Sequence, residues 1–320
     1  MVRRLEYLED FLQGVSEGEG IERIQERLVA RKKFFELEKS RAVGRGRPFM
    51  KKLGEAHRLS ELCRTMARQL GLIEGGGILQ TSAIGEQYLV SDGKARSQLL
   101  IRGMLQTYVR FRSLVKCVAL TDGNEIEVPM GDTRQAFIDV LSKIGLRDFS
   151  RIYFETVVDL STQLGLTNWH LRDNESRNWI LYMTSSIQFL RGEVETTKGF
   201  VAHLGEETWT IIFNSVSLDI FREQLWKDYL SLTKYIARKP VPYSNLRSKV
   251  CYSLRMGDRL FDGLARVIML ADAKYLLVGA GGTLSFRRDS ASLIKSLPPK
   301  TDRGEYMVYL KMDKKLMGDK

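Results

Sequence analysis

Apolar residues recur at helical spacing along most of the chain, and short β-branched or alternating runs bounded by glycine interrupt them. Leu5, Leu8, Phe11 and Leu12 form a first stripe, which the glycine-rich GVSEGEG at 14–20 breaks. Ile21, Ile24, Leu28 and Phe35 form a second, running to about Lys39, so the opening predicts a helical hairpin with a solvated charged face. In the stretch 58–89, Ser60 is placed to cap a helix on which Leu62, Met66 and Leu70 recur, and Gly71 stops it. The apolar pair Leu72-Ile73, the turn Gly75-Gly76-Gly77, the apolar pair Ile78-Leu79 and the run Thr81 to Leu89 then predict strand, turn, strand and short helix. Leu100, Met104, Tyr108, Phe111 and Val115 predict one long helix from Ser97 to Leu120.

The acidic, Gly/Pro-punctuated TDGNEIEVPMGD at 121–132 reads as a loop. Two helices are expected after it, the second spanning FSRIYFETVVDLSTQLGL with Glu155, Thr156, Asp159 and Gln163 outward as an acidic face. WILYMTSSIQFL is apolar enough for a buried strand or helix, and Trp209 to Phe213 favours a short strand. A helix over 218–237 ends at Lys239-Pro240-Val241-Pro242. Beyond it come a helix from Tyr243 to about Arg255, another with Leu260, Leu264 and Ile268 inward, strands at Tyr275–Val278 and Thr283–Phe286, and a closing strand in EYMVYLKM.

The exit ARQLGLIE and the closure LQTSAIGEQYL carry a resemblance to winged helix-turn-helix modules. STQLGLTNWHL echoes the same exit, so a second, divergent copy is expected. The implied architecture is mainly α with small β wings, an α+β chain of tandem winged-helix modules. Four parts follow: 1–43, an N-terminal helical hairpin; 44–120, a basic arm with the first module and the long helix; 121–238, a central divergent module; 239–320, a basic C-terminal module. The resemblance implies that the helix before the first wing lies in a DNA major groove, exposing Arg58, Glu61, Arg64, Thr65, Arg68 and Gln69, of which the Arg and Gln types pair with base edges and phosphate.

Charge sharpens this picture. Residues 1–58 carry +4, 59–233 carry −3 and 234–320 carry +10, so positive charge is placed at both ends, as in a chain that grips a polyanion at two places. In the first of these, Gly44-Arg45-Gly46-Arg47-Pro48 resembles an AT-hook, whose extended Arg-Gly-Arg-Pro lies in the narrow minor groove, with Arg45 and Arg47 in its negative potential. In the second, Arg255, Arg259 and Arg266 on or near a helix, and Arg287 and Arg288 after a hairpin, make another phosphate-gripping surface. The acidic central part suits a protein partner.

Chemistry is sparsely signalled. Cys63, Cys117 and Cys251 are single and odd in number, and the three histidines are scattered, so neither a disulfide framework nor a metal site is expected. In YLLVGAGGTLSF, Leu284 stands where a dinucleotide fingerprint needs glycine, and no P-loop occurs. An Mg²⁺-dependent restriction-type nuclease would draw on Asp262, Asp272 and Lys274. With no run of about 18 apolar residues and acidic residues in MVRRLEYLEDF, a cytoplasmic protein without a membrane segment is expected. The expectation is a double-stranded DNA reader without a cofactor, the recognition component of a prokaryotic defence, restriction or mobile-element system; the alternatives are the nuclease and a structural subunit of a nucleoprotein complex.

Overall fold

The alternation of apolar stripes and glycine stops builds helix α1 (Leu5–Ser16), α2 (Ile21–Val43) and α3 (Gly54–Gln69) in a computed structural model that describes residues 4–43, 54–76, 78–129, 134–146, 150–171, 178–191, 199–236, 239–271, 276–280 and 307–312. Leu5, Leu8, Phe11 and Leu12 of α1 and Ile24 and Leu28 of α2 are buried as their spacing requires. Ile21 is not: in the first turn it lies ahead of the packed stripe and is exposed. Phe35 falls outside the described side chains. Gly14 lies inside α1 rather than after it, and its missing side chain leaves Ile24 room to close on the helix. Arg31 meets Asp10 through two 2.7 Å hydrogen bonds, so part of the expected solvated face of α2 is spent fastening it to α1.

Helix α3 starts earlier than the cap at Ser60 would place it. Ser60 is fully buried, its hydroxyl donating to the His57 carbonyl at 2.8 Å, because the helix continues back through Ala56, which is also buried. Gly71, at φ +68°, ends α3 as expected, with Leu72 N–H donating to the Ala67 carbonyl at 2.8 Å. Strands β1 (Ile73–Glu74) and β2 (Gln80–Thr81) pair antiparallel, Ile73 opposite Thr81. The second strand is Gln80-Thr81 and not Ile78-Leu79; Ile78 belongs to the turn. Ser82 caps α4 (Ala83–Val90) by accepting from Gly85 N–H, and α5 (Gly93–Thr107) and α6 (Val109–Leu120) follow. The single helix expected over 97–120 is these two, divided at Tyr108 (φ −105°, ψ 93°), whose hydroxyl donates to Gln69 Oε1 at 2.6 Å.

The segment expected as a loop contains β3 (Glu125–Pro129): Ile126 and Val128 are buried while Glu127 is exposed, the alternation of a half-buried strand. After it come α7 (Arg134–Lys143), α8 (Arg151–Gln163), β4 (Thr167–Leu171), β5 (Asn178–Met183), β6 (Ser185–Arg191), β7 (Phe200–Leu204) and β8 (Glu207–Phe213). The apolar run at 179–190 therefore resolves as two strands. Two antiparallel sheets result, ordered β3-β5-β4 and β6-β8-β7. Edge strand β7 is covered from α5, where Arg102 Nε donates to the Val201 carbonyl at 3.0 Å and Gln106 Nε2 to that of His203 at 3.4 Å. The expected acidic outer face of α8 is corrected: Thr156 and Asp159 are buried, because the C-terminal half of this helix is enclosed nearly all round, and Gln163 accepts from Leu5 N–H at the start of α1.

Helix α9 (Leu218–Thr233), β9 (Val241–Pro242), α10 (Tyr243–Ser253), α11 (Asp258–Ala271), β10 (Leu276–Ala280) and β11 (Met307–Met312) complete the order. They share a core of Phe221, Leu225, Tyr229, Tyr243, Leu246, Val250, Phe261, Ile268 and Leu310 among others. On α11 the packed stripe is Phe261, Ala265 and Ile268, one position on from the expected Leu260, which is exposed; the larger Phe261 takes the core. The closing strand β11 pairs with β10 and β9; positions 275 and 283–286 of the expected hairpin lie outside the described residues.

Among the described residues the chain is mainly helical, with eleven α-helices and small antiparallel sheets, an α+β architecture. It divides into two compact units, and neither is one continuous stretch: the first takes 1–116, 148–164 and 187–212, the second 117–147, 165–186 and 213–320. Among the described residues no helix is long and apolar enough to cross a membrane.

Candidate nucleic-acid interface

Helix α3 sorts its residues by turn. Ala56, Ser60, Cys63, Met66, Ala67 and Leu70 are buried, while His57, Arg58, Thr65, Arg68 and Gln69 are exposed and Arg64 is half-buried. The spacing i, i+1, i+7, i+8, i+11, i+12 keeps the polar set on one face of the helix. His57, on that face, had no place in the sequence reading; its i, i+7 relation to Arg64 was the available signal.

The chemistry of these side chains differs. Arg58 and Thr65 face solvent. Arg64 holds Glu61 one turn back at 3.4 Å, a weak exposed pair. Arg68 donates from Nη2 to the Gly75 carbonyl at 2.9 Å, which fastens the β1–β2 turn to the last turn of α3. Gln69 accepts from Tyr108, so its amide is bound to the α5–α6 junction; burial of that phenol raises its pKa. Cys63, under the same helix, is fully buried, and burial pushes its thiol up to about 12.

Two glycines set the backbone around this face. Gly75 has φ +91°, and a Cβ there would stand 2.3 Å from the Ile78 carbonyl oxygen, so only glycine closes this turn. A Cβ on Gly85 would meet the Leu72 carbonyl oxygen at 2.0 Å, so α4 passes the backbone leading into β1 at a distance only glycine permits.

In the second unit, Arg259 and Arg266 of α11 are exposed. Arg255 is committed elsewhere. Its backbone is left-handed (φ 49°), its carbonyl accepts from Asn214 Nδ2 at 3.0 Å, and its guanidinium pairs with Glu125 while lying over the Tyr252 and Tyr182 rings at 4.6 and 5.3 Å. Burial and the neighbouring Glu125 raise the Tyr252 pKa. Asp262 is likewise engaged: it accepts from the Tyr243 hydroxyl at 2.7 Å and from Arg247 at 3.0 Å. Arg247, its side chain only 4% exposed, also faces Asp258 at 3.6 Å. Burial raises the Asp262 pKa, although Arg247 pulls it down. The sequence reading passed over Arg247, although its place on the buried stripe of Tyr243, Leu246 and Val250 marked it as an inward cation. Among the described residues no three His, Cys, Asp or Glu side chains gather as metal ligands. Arg45, Arg47, Arg287, Arg288, Asp272 and Lys274 lie outside the described residues or side chains.

The structure thus brings Arg58, Arg64, Thr65, Arg68 and Gln69 onto one helix face beside a short hairpin, and occupies Arg64, Arg68 and Gln69 there with intramolecular partners. No protein-family model, no curated protein and no solved structure matches the chain.

Proposed function

We propose that this chain binds double-stranded DNA through the exposed face of α3, with no reaction of its own. The observation that carries the reading is that Arg58, Thr65 and Arg68 stand exposed on one side of a helix whose other side is core, next to a hairpin fastened to the same helix. The order α1, α2, α3, β1, β2 is that of a winged helix-turn-helix, in which such a helix enters the major groove. The helix α8, the left-handed Gly165 and the strand β4 repeat the local order of the exit from α3, although α8 belongs to the first unit and β4 to the second, so the divergent second module rests on the sequence echo alone. Arg58 and Thr65 meet the duplex first in this reading. Arg64 and Gln69 exchange Glu61 and Tyr108 for it. Arg45 and Arg47 extend the grip into the minor groove, and Arg259, Arg266, Arg287 and Arg288 supply a second phosphate contact. The chain would serve as the recognition component of a defence, restriction or mobile-element system.

The test is fluorescence anisotropy with duplex, single-stranded DNA and RNA, across a salt series and with chelator. Duplex binding should survive chelation, and its log K should fall linearly with log salt. Arg58→Ala with Arg68→Ala should weaken binding at least about tenfold and reduce the salt slope by about 2, at roughly 0.9 per phosphate. Unchanged affinity in the double variant removes α3 from the interface. Affinity indifferent to salt removes the polyanion.

A further inference from the structure

The turn between β1 and β2 presents an isoleucine that the fold does not bury. Ile78 is 81% exposed, in a turn whose backbone is tightly closed. Gly75 closes the turn against the Ile78 carbonyl so tightly that a side chain at 75 would collide with it, and Arg68 grips the Gly75 carbonyl from α3. Gly76 differs from its neighbour. Nothing lies within 4 Å of where its Cβ would be, and its φ is outside the left-handed region, so the fold itself makes no demand for glycine at this position. An open backbone at Gly76 and an exposed apolar side chain at Ile78, in a turn that Arg68 grips, fit close approach to another surface.

Resting on the duplex-binding reading above, we infer that Ile78 is a wedge: the β1–β2 tip enters the minor groove, Gly76 lets the backbone pass the groove wall, and Ile78 inserts at a base step and bends the duplex. Apolar side chains pressed between base steps unstack them and kink the helix axis toward the major groove. The cationic face of α3 supplies the orientation, since phosphate contacts fix register without specifying it.

The experiment uses the full chain and a duplex of about 30 base pairs with a donor and an acceptor dye at its ends, either intact or carrying one central mismatched step. The wild-type chain should raise transfer efficiency on the intact duplex. It should also bind the mismatched duplex about tenfold more tightly, because the cost of unstacking is already met there. Ile78→Ala should still bind the intact duplex but lose both the bend and the mismatch preference, while Ile78→Leu should keep both. The alanine variant should melt with the wild-type midpoint, since Ile78 contributes little to the core. Binding without a bend, or a bend that survives Ile78→Ala, overturns the wedge and leaves duplex binding standing. Failure of the wild-type chain to bind either duplex overturns the duplex reading, and the wedge with it.

Discussion

Replacing Arg247 by Met removes a cation that faces two carboxylates in the interior of the second unit. The guanidinium lies 3.0 Å from Asp262 and 3.6 Å from Asp258, with side chains 4%, 19% and 5% exposed. Burial opposes the Arg247 charge, but the two carboxylates outweigh it and hold its pKa above the ordinary value. Breaking one partner out of a buried ion pair costs about 3–5 kcal/mol, because the remaining charge stays desolvated. Here the lower end applies: Asp258 keeps Asn168 at 3.0 Å and Asp262 keeps Tyr243 at 2.7 Å. A loss of about 3 kcal/mol corresponds to a midpoint lower by about 6–12 °C in a domain of this size. The sign of the pH effect follows from Asp262. Its folded pKa is already raised by burial, and loss of Arg247 raises it further, so ionisation is what the folded variant resists. The penalty should be complete above the raised folded pKa and shrink as the pH falls through it toward the ordinary carboxylate range. Tryptophan fluorescence in urea reads this directly, since Trp169, Trp179 and Trp226 lie in the second unit. A variant within about 1 kcal/mol of the parent, with no dependence on pH, would refute the account of this centre.

Gly85→Ala should destabilise the first unit by about 3 kcal/mol, the upper end of ordinary overpacking, because the added methyl meets a backbone oxygen that cannot rotate away; an unchanged midpoint in urea would show that α4 shifts freely. Cys63 should resist iodoacetamide in the native chain at about pH 8, a pH at which an ordinary cysteine is partly thiolate, and label only after denaturation. Its thiol is buried and held up to about 12. Peptide mapping separates it from the half-exposed Cys117, and native labelling of Cys63 would contradict the packing beneath α3.

Several elements were legible because their cause is local. Gly71 ends α3 because no side chain opposes its left-handed turn, and Ser82 caps α4 through an oxygen three residues from the N–H it accepts. The inward face of α1 follows from a stripe with no competing polar residue. The misreadings also have particular causes. In GNEIEVP the Gly/Pro punctuation outweighed the alternation of Glu125, Ile126, Glu127 and Val128, which a partner strand, β5, turns into β3. The chemistry of the polar residues of α8 points them to water, yet Thr156 and Asp159 are buried and Gln163 accepts from Leu5, 158 positions away.

The inward face of α1, the stop at Gly71, the cap at Ser82 and the basic character of the chain's two ends are set by residues within a turn or two of one another, so the amino-acid sequence determines them alone. Which cations are left facing solvent is decided otherwise. Arg64, Arg68 and Gln69 share a helix face with Arg58 and Thr65, yet Glu61, the Gly75 carbonyl and Tyr108 occupy the first three. Arg255 and Arg247 are drawn toward carboxylates as distant in sequence as Glu125 and as near as Asp258. Only folding sets these distances, and the strength of a charge's interaction depends on distance and burial, which no spacing along the chain records.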